Sequence, residues 1–171
     1  MEYSGFHRYQ HVWRNTAEMK RMIEQVTEET VLQAAYVHSL SWKASHTALC
    51  SPEFVALHTP ERQAAYLRGE MKQGKRLFML TDGEPVGVVT VWDDLIENLY
   101  VLPEKQQRGY GTLLLDFAIR QCAGVPTLWV LNTNAVAQRM YQKNGFRETG
   151  DTRALNDAVY EIEMVRQAEP E

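Results

Sequence analysis

Apolar residues recur at helical spacing up to about residue 72 and at strand spacing soon after. The first 18 residues have no clear period, and 20–26 (KRMIEQV) reads as a short, loosely alternating strand. Thr27 followed by Glu28 and Glu29 predicts a helix start, because a threonine cap and early acids suit the positive helix end. Leu32, Ala35, Tyr36 and Leu40 carry one apolar face of that helix to about Trp42. Residues 43–58 are irregular, with a short helical stretch around Pro52–Leu57. Thr59-Pro60-Glu61 opens a second helix, with proline at its first position, running to about Lys72 and ending before Gly74.

The period then changes. Arg76–Thr81 and Pro85–Trp92 read as a hairpin about Asp82-Gly83, and Ile96–Leu102 as a further strand. Thr112–Cys122 is a helix with Leu114, Leu115, Ala118, Ile119 and Cys122 on one face, stopped by Gly124. The apolar run Thr127–Leu131 is expected to be a strand buried on both faces. Asn134 caps a helix to Asn144, and Gly145 supplies the left-handed residue that ends it. Phe146–Thr149 and Ala158–Val165 are the last strands, the latter alternating Tyr160, Ile162 and Met164 with Glu161 and Glu163. The order β-α-α-β-β-β-α-β-α-β-β predicts a single α/β domain, a mixed central sheet of about seven strands flanked by helices.

Composition narrows the classes. The 171 residues are 44% hydrophobic and 23% charged, with a net charge of −4, which fits one globular domain and not a disordered chain. There is no basic excess, so no nucleic-acid partner is expected. No apolar run approaches a membrane span, and the first 15 residues hold no apolar signal core, so a cytoplasmic location is expected. Cys50 and Cys122 are isolated, which argues against a disulfide framework. His7 and His11 are four apart, but Arg8 stands where a zinc-protease helix carries glutamate, so no metal is expected. The domain is placed at 20–171. Residues 1–19 read as an extension to which the sequence assigns no role, with cover for a sheet edge or a subunit contact, as in a homodimer, the readings open to it.

The most informative segment is Leu99-Tyr-Val-Leu-Pro-Glu-Lys-Gln-Gln-Arg-Gly-Tyr-Gly-Thr112. A strand, a polar loop with two glycines and a helix start follow one another, the geometry that offers free backbone N–H groups to phosphate. Lys105 and Arg108 add positive charge. A Walker loop would need Gly-Lys-Ser/Thr and a dinucleotide fingerprint a third glycine at Leu114, and neither is present. By itself, the loop is equally a simple strand-to-helix turn.

Gln106-Gln-Arg-Gly-Tyr-Gly111 resembles the Q/R-x-x-G-x-G/A signature of the GCN5-related N-acetyltransferase family. Residues 128–146 resemble that family's second signature at Asn134, Ala137, Tyr141, Gly145 and Phe146. The resemblance spans about residues 20–165. It implies the acetyl-CoA N-acyltransferase fold, with acetyl-CoA as co-substrate and a small-molecule amine as acceptor. Gln106, Gln107, Arg108, Gly109, Tyr110, Gly111 and Thr112 would then hold the pyrophosphate. Val101 would bind the pantetheine arm through its backbone, with Asn134 and Ala137 beside it, in a gap between strands 96–102 and 127–131. Tyr141 would act as general acid to the departing thiolate, although its spacing alone reads as a core aromatic.

Residues 77–104 hold six acids and no base, which suggests an acidic approach for a cationic amine. Glu97 and Asp93 are the candidate bases within it, Asp93 also as an amine contact. Trp42, His46 and Trp92 are candidate acceptor contacts, and His46 is a further candidate base. The alternatives are a non-catalytic acyl-CoA sensor on the same fold and a peptide or protein amine acetyltransferase.

Overall fold

The structure, a computed structural model, describes residues 21–167. The extension 1–19, with His7 and His11, lies outside them. In chain order the elements are β1 (Met22–Gln25), α1 (Val31–His46), α2 (Pro52–Ala56), α3 (Pro60–Lys72), β2 (Arg76–Thr81), β3 (Pro85–Trp92) and β4 (Leu95–Val101). A 3₁₀ turn at Pro103–Lys105 precedes α4 (Tyr110–Gln121), β5 (Thr127–Leu131), α5 (Ala135–Lys143), β6 (Phe146–Ala154) and β7 (Tyr160–Arg166). The strands form one seven-stranded sheet in the order β1-β2-β3-β4-β5-β7-β6. Every neighbouring pair is antiparallel except β4 with β5.

Strand alternation builds two cores. Phe78 and Leu80 of β2 face one side, with Ile96, Leu114, Leu115, Leu128, Phe146 and Met164. Leu77 and Met79, the intervening residues, face the other side, with Val31, Ala35, Leu67 and Val88. So α4 and α5 cover one face of the sheet, while α1 and α3 cover the other.

The structure corrects the sequence reading at the start of the first helix, the end of β6 and the burial of β5. The first helix begins at Val31 rather than after Thr27. There the Thr27 N–H donates to Thr30 Oγ1 at 2.9 Å and the Thr27 hydroxyl to Glu29, so local side-chain bonds replace the expected first turn. β6 runs to Ala154 rather than Thr149, through an irregularity between Glu148 and Thr152. β5 is not buried on both faces. Leu128 and Val130 are buried, but Thr127, Trp129 and Leu131 are only half-buried, because α1 and α3 pack over the β1–β4 side of the sheet. The second helix and the β2–β3 hairpin stand where the sequence puts them, and Thr59 caps α3 by accepting the Arg62 N–H.

Two packing features yield predictions. A Cβ on Gly87 of β3 would lie 2.6 Å from Leu114 Cδ1 and 2.9 Å from the Tyr100 carbonyl oxygen. Gly87→Ala should therefore cost about 1–3 kcal/mol of stability, read as a lower denaturant midpoint at unchanged slope. His38 of α1 is 3% exposed, and neither ring nitrogen has a hydrogen-bond partner. Burial pushes its pKa down to about 4 from an ordinary 6.5. The folded state thus resists its protonation, and its stabilising contribution is complete above about pH 6.5 and lost as pH falls toward about 4. Urea midpoints across that window should fall less steeply for His38→Gln than for the parent chain, the difference approaching about 3 kcal/mol.

Candidate active site

The site begins with a missing piece of sheet. β4 and β5 pair only at Leu95–Thr127 and Ile96–Leu128, and then part. A bulge in β4 accompanies the parting. Opposite β3 the register slips between Val88 and Thr90, and Asn98 takes a positive φ of 50°. The inserted residue puts Ile96, Leu99 and Val101 on the α4/α5 face together, and leaves Tyr100 on the α1/α3 face.

Both strand edges carry acceptors into this gap. The Leu102 N–H donates to Val86 of the β2–β3 side at 2.9 Å, so the Val101 carbonyl on the same trans peptide points away from β3. The Asn132 N–H likewise donates to Tyr160 at 2.9 Å, so the Leu131 carbonyl points away from β7. Each carbonyl is satisfied by a glutamine side chain. Gln106 Nε2 donates to Val101 O at 3.1 Å and Gln138 Nε2 to Leu131 O at 2.9 Å. Gln138 has no sequence signal, because its role depends on a gap that only the fold creates.

The loop after β4 lies at the same end of the sheet. Gln107 (φ 60°) and Gly109 (φ 84°) turn the chain into α4, the second position being one that glycine fills without strain. The first helical bond is from Leu113 N–H to Gly109 O. The backbone N–H groups of Gln107, Arg108, Gly109, Tyr110, Gly111 and Thr112 have no partner among the described residues, and no side chain caps the helix. A run of free donors at a helix N-terminus is suited to phosphate oxygens. Gly111 has a different reason to be glycine. A Cβ there would press on Met140 Sδ at 3.1 Å, where α4 approaches α5. Tyr110 is buried, and its hydroxyl donates to Asp82 Oδ2 at 2.6 Å, with Arg21 Nε at 3.1 Å from the same oxygen. These bonds hold the Asp82 carboxyl below its ordinary pKa and tie the loop to the β2–β3 turn.

Tyr141 of α5 is 7% exposed and packs near Phe146, with ring centroids 6.0 Å apart. Burial alone pushes its phenol up to about 12, so it stays protonated at neutral pH. Tyr100 is raised too, first by burial and then by the Tyr141, Tyr66 and Glu161 charges. Asn134 and Ala137 have a structural task, since Asn134 Oδ1 accepts the Ala137 N–H at 3.1 Å and caps α5.

The acidic stretch does not form one approach. Asp82 is paired with Arg21 and Tyr110, Glu84 with Lys105, and Asp94 accepts the Gly124 N–H at 2.6 Å. Glu97 lies beside the gap, but Lys75 Nζ donates to it at 2.8 Å while also pairing with buried Glu70. Asp93 is exposed at the β3–β4 turn, beyond the paired end of β4 and β5 and away from the loop. Asp93 therefore stands at the opposite end of β4 from the glycine loop, and the contiguous acidic run is distributed over both ends of the β3–β4 hairpin and the β2–β3 turn. Trp92 is exposed and lies 4.8 Å from Lys75 Nζ. Trp42 is stacked between His46 and His58, with centroid distances of 4.1 and 3.4 Å. His46 Nδ1 contacts the Trp42 carbonyl at 3.0 Å, and burial lowers its pKa. Trp42 and His46 stand toward the end of α1 and Trp92 at the end of β3. The residues that sequence reasoning missed are His38, Tyr66 and Tyr100, whose rings meet against β4.

Among the described residues no helix is long and apolar enough to cross a membrane, and no group of three or more His, Cys, Asp or Glu side chains gathers as a metal site.

Comparison with known proteins supplies the rest. Residues 73–148, from before β2 to the start of β6, match the model of the acetyltransferase (GNAT) domain. None of the curated proteins matches in sequence. The fold is shared with the PaiA N-acetyltransferase of Thermoplasma acidophilum in complex with coenzyme A, at 19% identity and TM-score 0.62, covering 85% of this chain and 98% of that one. YncA of Salmonella typhimurium, solved with its cofactor acetyl-CoA, is 18% identical with TM-score 0.63, covering 88% and 95%. An N-acetyltransferase of Staphylococcus aureus Mu50 is 16% identical with TM-score 0.65, covering 85% and 97%. Residues 73–148, loop and gap included, therefore match an acetyltransferase (GNAT) domain, and the fold along most of the chain is the one these N-acetyltransferases share.

Proposed function

We propose that the chain transfers the acetyl group of acetyl-CoA to the primary amine of a small molecule, by direct attack on the thioester. The single observation that carries this reading is the gap between β4 and β5, with two inward carbonyls, beside a loop of free N–H groups. An extended ligand with amide groups can pair with Val101 and Leu131 as an added strand would, releasing Gln106 and Gln138. Its phosphates then meet the N–H groups of residues 107–112.

The chemistry needs a neutral amine, a donor for the developing oxyanion and a partner for the leaving thiolate. The Val101 backbone N–H serves the oxyanion, and Glu97 draws the ammonium form and accepts its proton through water. Tyr141 serves the thiolate. With its phenol at about 12 and a thiol near 8.5, full proton transfer would be uphill by about 5 kcal/mol. Tyr141 therefore acts as a strong hydrogen-bond donor to the thiolate, and the proton is completed from solvent as coenzyme A leaves. Among the described residues no activated nucleophile stands at the gap, which supports direct transfer over an acyl-enzyme.

Coenzyme A release measured across an amine panel tests the reading, and binding of acetyl-CoA with no acetylated amine would favour a sensor. Tyr141→Phe should lower kcat by roughly 10²-fold with little change in acetyl-CoA affinity, and a variant with full turnover would remove the assignment. For an alkylamine acceptor, kcat/KM should climb with pH up to about 10 as the amine loses its proton, with no descending limb from Tyr141. A fall in rate between about pH 8 and 10 at retained fold would count against a phenol raised this far.

A further inference from the structure

The half-buried face of β5 leads beyond a plain amine acceptor. Trp129 lies opposite Glu163 of β7, Leu131 opposite Glu161, and Arg153 of β6 opposite Glu161. All of these side chains share the side of the sheet on which α1 and α3 pack farther along. The Arg153 Cζ sits 3.6 Å from the Trp129 ring centroid, so the guanidinium reaches over β7 and lies against the indole. Trp129 follows Leu128, and Glu97 follows Ile96, the last residues paired between β5 and β4. Trp129 and Glu97 therefore flank the mouth of the gap on this face.

Arg153 is placed there by the irregularity in β6. Glu148 is opposite Met164, so an unbroken ladder would set Asp151 against Glu161, two like charges. The two additional residues of the bulge, turned at Gly150 (φ 99°), put Arg153 there instead. Despite Glu161 opposite, the guanidinium makes no hydrogen bond or ion pair among the described residues, whereas Glu163 accepts from Thr149 at 2.8 Å. Stacking fixes the plane of a guanidinium and leaves its edge donors open, and those donors match a carboxylate two at a time.

We propose that Arg153, held flat by Trp129, binds a carboxylate of the acceptor, so that the acceptor is an amino acid or a related small molecule bearing both an amine and an acid. This rests on the N-acetyltransferase reading. The amine lies toward Glu97 at the mouth, the acid on Arg153, and Glu161 and Glu163 repel acceptors whose charges are reversed.

The test uses the full chain and a panel of amino acids, including 4-aminobutyrate and L-lysine, each paired with its carboxamide. Coenzyme A release should favour the acid over the amide by about tenfold in kcat/KM, mainly through KM. Arg153→Ala should remove that preference, lowering the acid to the level of the amide while leaving the amide rate and the acetyl-CoA KM unchanged. Arg153→Lys should restore only part of it, because a point charge lacks the paired donors. Equal rates for acid and amide in the parent chain overturn the proposal, as does an Arg153→Ala variant with a lower KM for plain amines, which would make Arg153 an obstruction. Calorimetric binding of the same pairs to the coenzyme A complex separates the two readings. An acid bound in an Arg153-dependent way without turnover sinks the catalytic reading alone, whereas turnover without acid preference sinks the carboxylate contact alone.

Discussion

The parting of β4 and β5 is the constraint on which the rest of this molecule depends. An interrupted ladder leaves backbone polar groups without strand partners, and such groups must be satisfied elsewhere. Here two glutamine amides do so, one from the loop after β4 and one from α5. They are exchangeable partners, unlike a strand, so the opening is available to a ligand without unfolding anything. The bulge at Asn98 and the close approach of α4 at Gly87 and Gly111 hold the two halves of the sheet in that arrangement.

The electrostatics follow from the same topology. A run of six acids in sequence is divided among the β2–β3 turn, the β3–β4 turn, the middle of β4 and the 3₁₀ turn after it. Bases from distant positions then meet them: Arg21 at Asp82, Lys105 at Glu84, Lys75 at Glu97. Lys75 also joins Glu70 of α3 to the sheet, a pairing whose desolvation cost is large unless both charges are well met. Arg153 of β6 and Glu163 of β7 lie near Trp129 on the same face, an association the sequence gives no reason to expect.

Much of the fold is legible in the chain. Thr59-Pro60 marks the start of α3, Asp82-Gly83 the hairpin turn and Gly145 the end of α5, because each involves bonds or dihedrals made within a few residues. Thr27 misleads for an equally local reason, since its side chain and that of Thr30 compete with the helix they were expected to begin. The β5 run misleads for a non-local one. Leu and Val at 128 and 130 reach the core, but the face of Trp129 stays partly open because the helices on that side pack nearer the other edge of the sheet. An apolar run records what can be buried, not what the neighbouring layers cover.

The candidate site divides along the same line. The glycine loop and the position of Tyr141 can be read from spacing, because phosphate-cradling backbone and a helix-borne side chain need only a strand, a turn and a helix in order. Sequence alone therefore determined the element order, the single mixed sheet and the location of the glycine loop whose N–H groups are free. Only the tertiary structure decided which side chains surround the gap. Tyr100, Gln138 and Trp129 are brought to it, and Arg153 to Trp129, by strand order, by two bulges and by where helices stop. Those depend on packing between segments tens of residues apart, which no local pattern encodes.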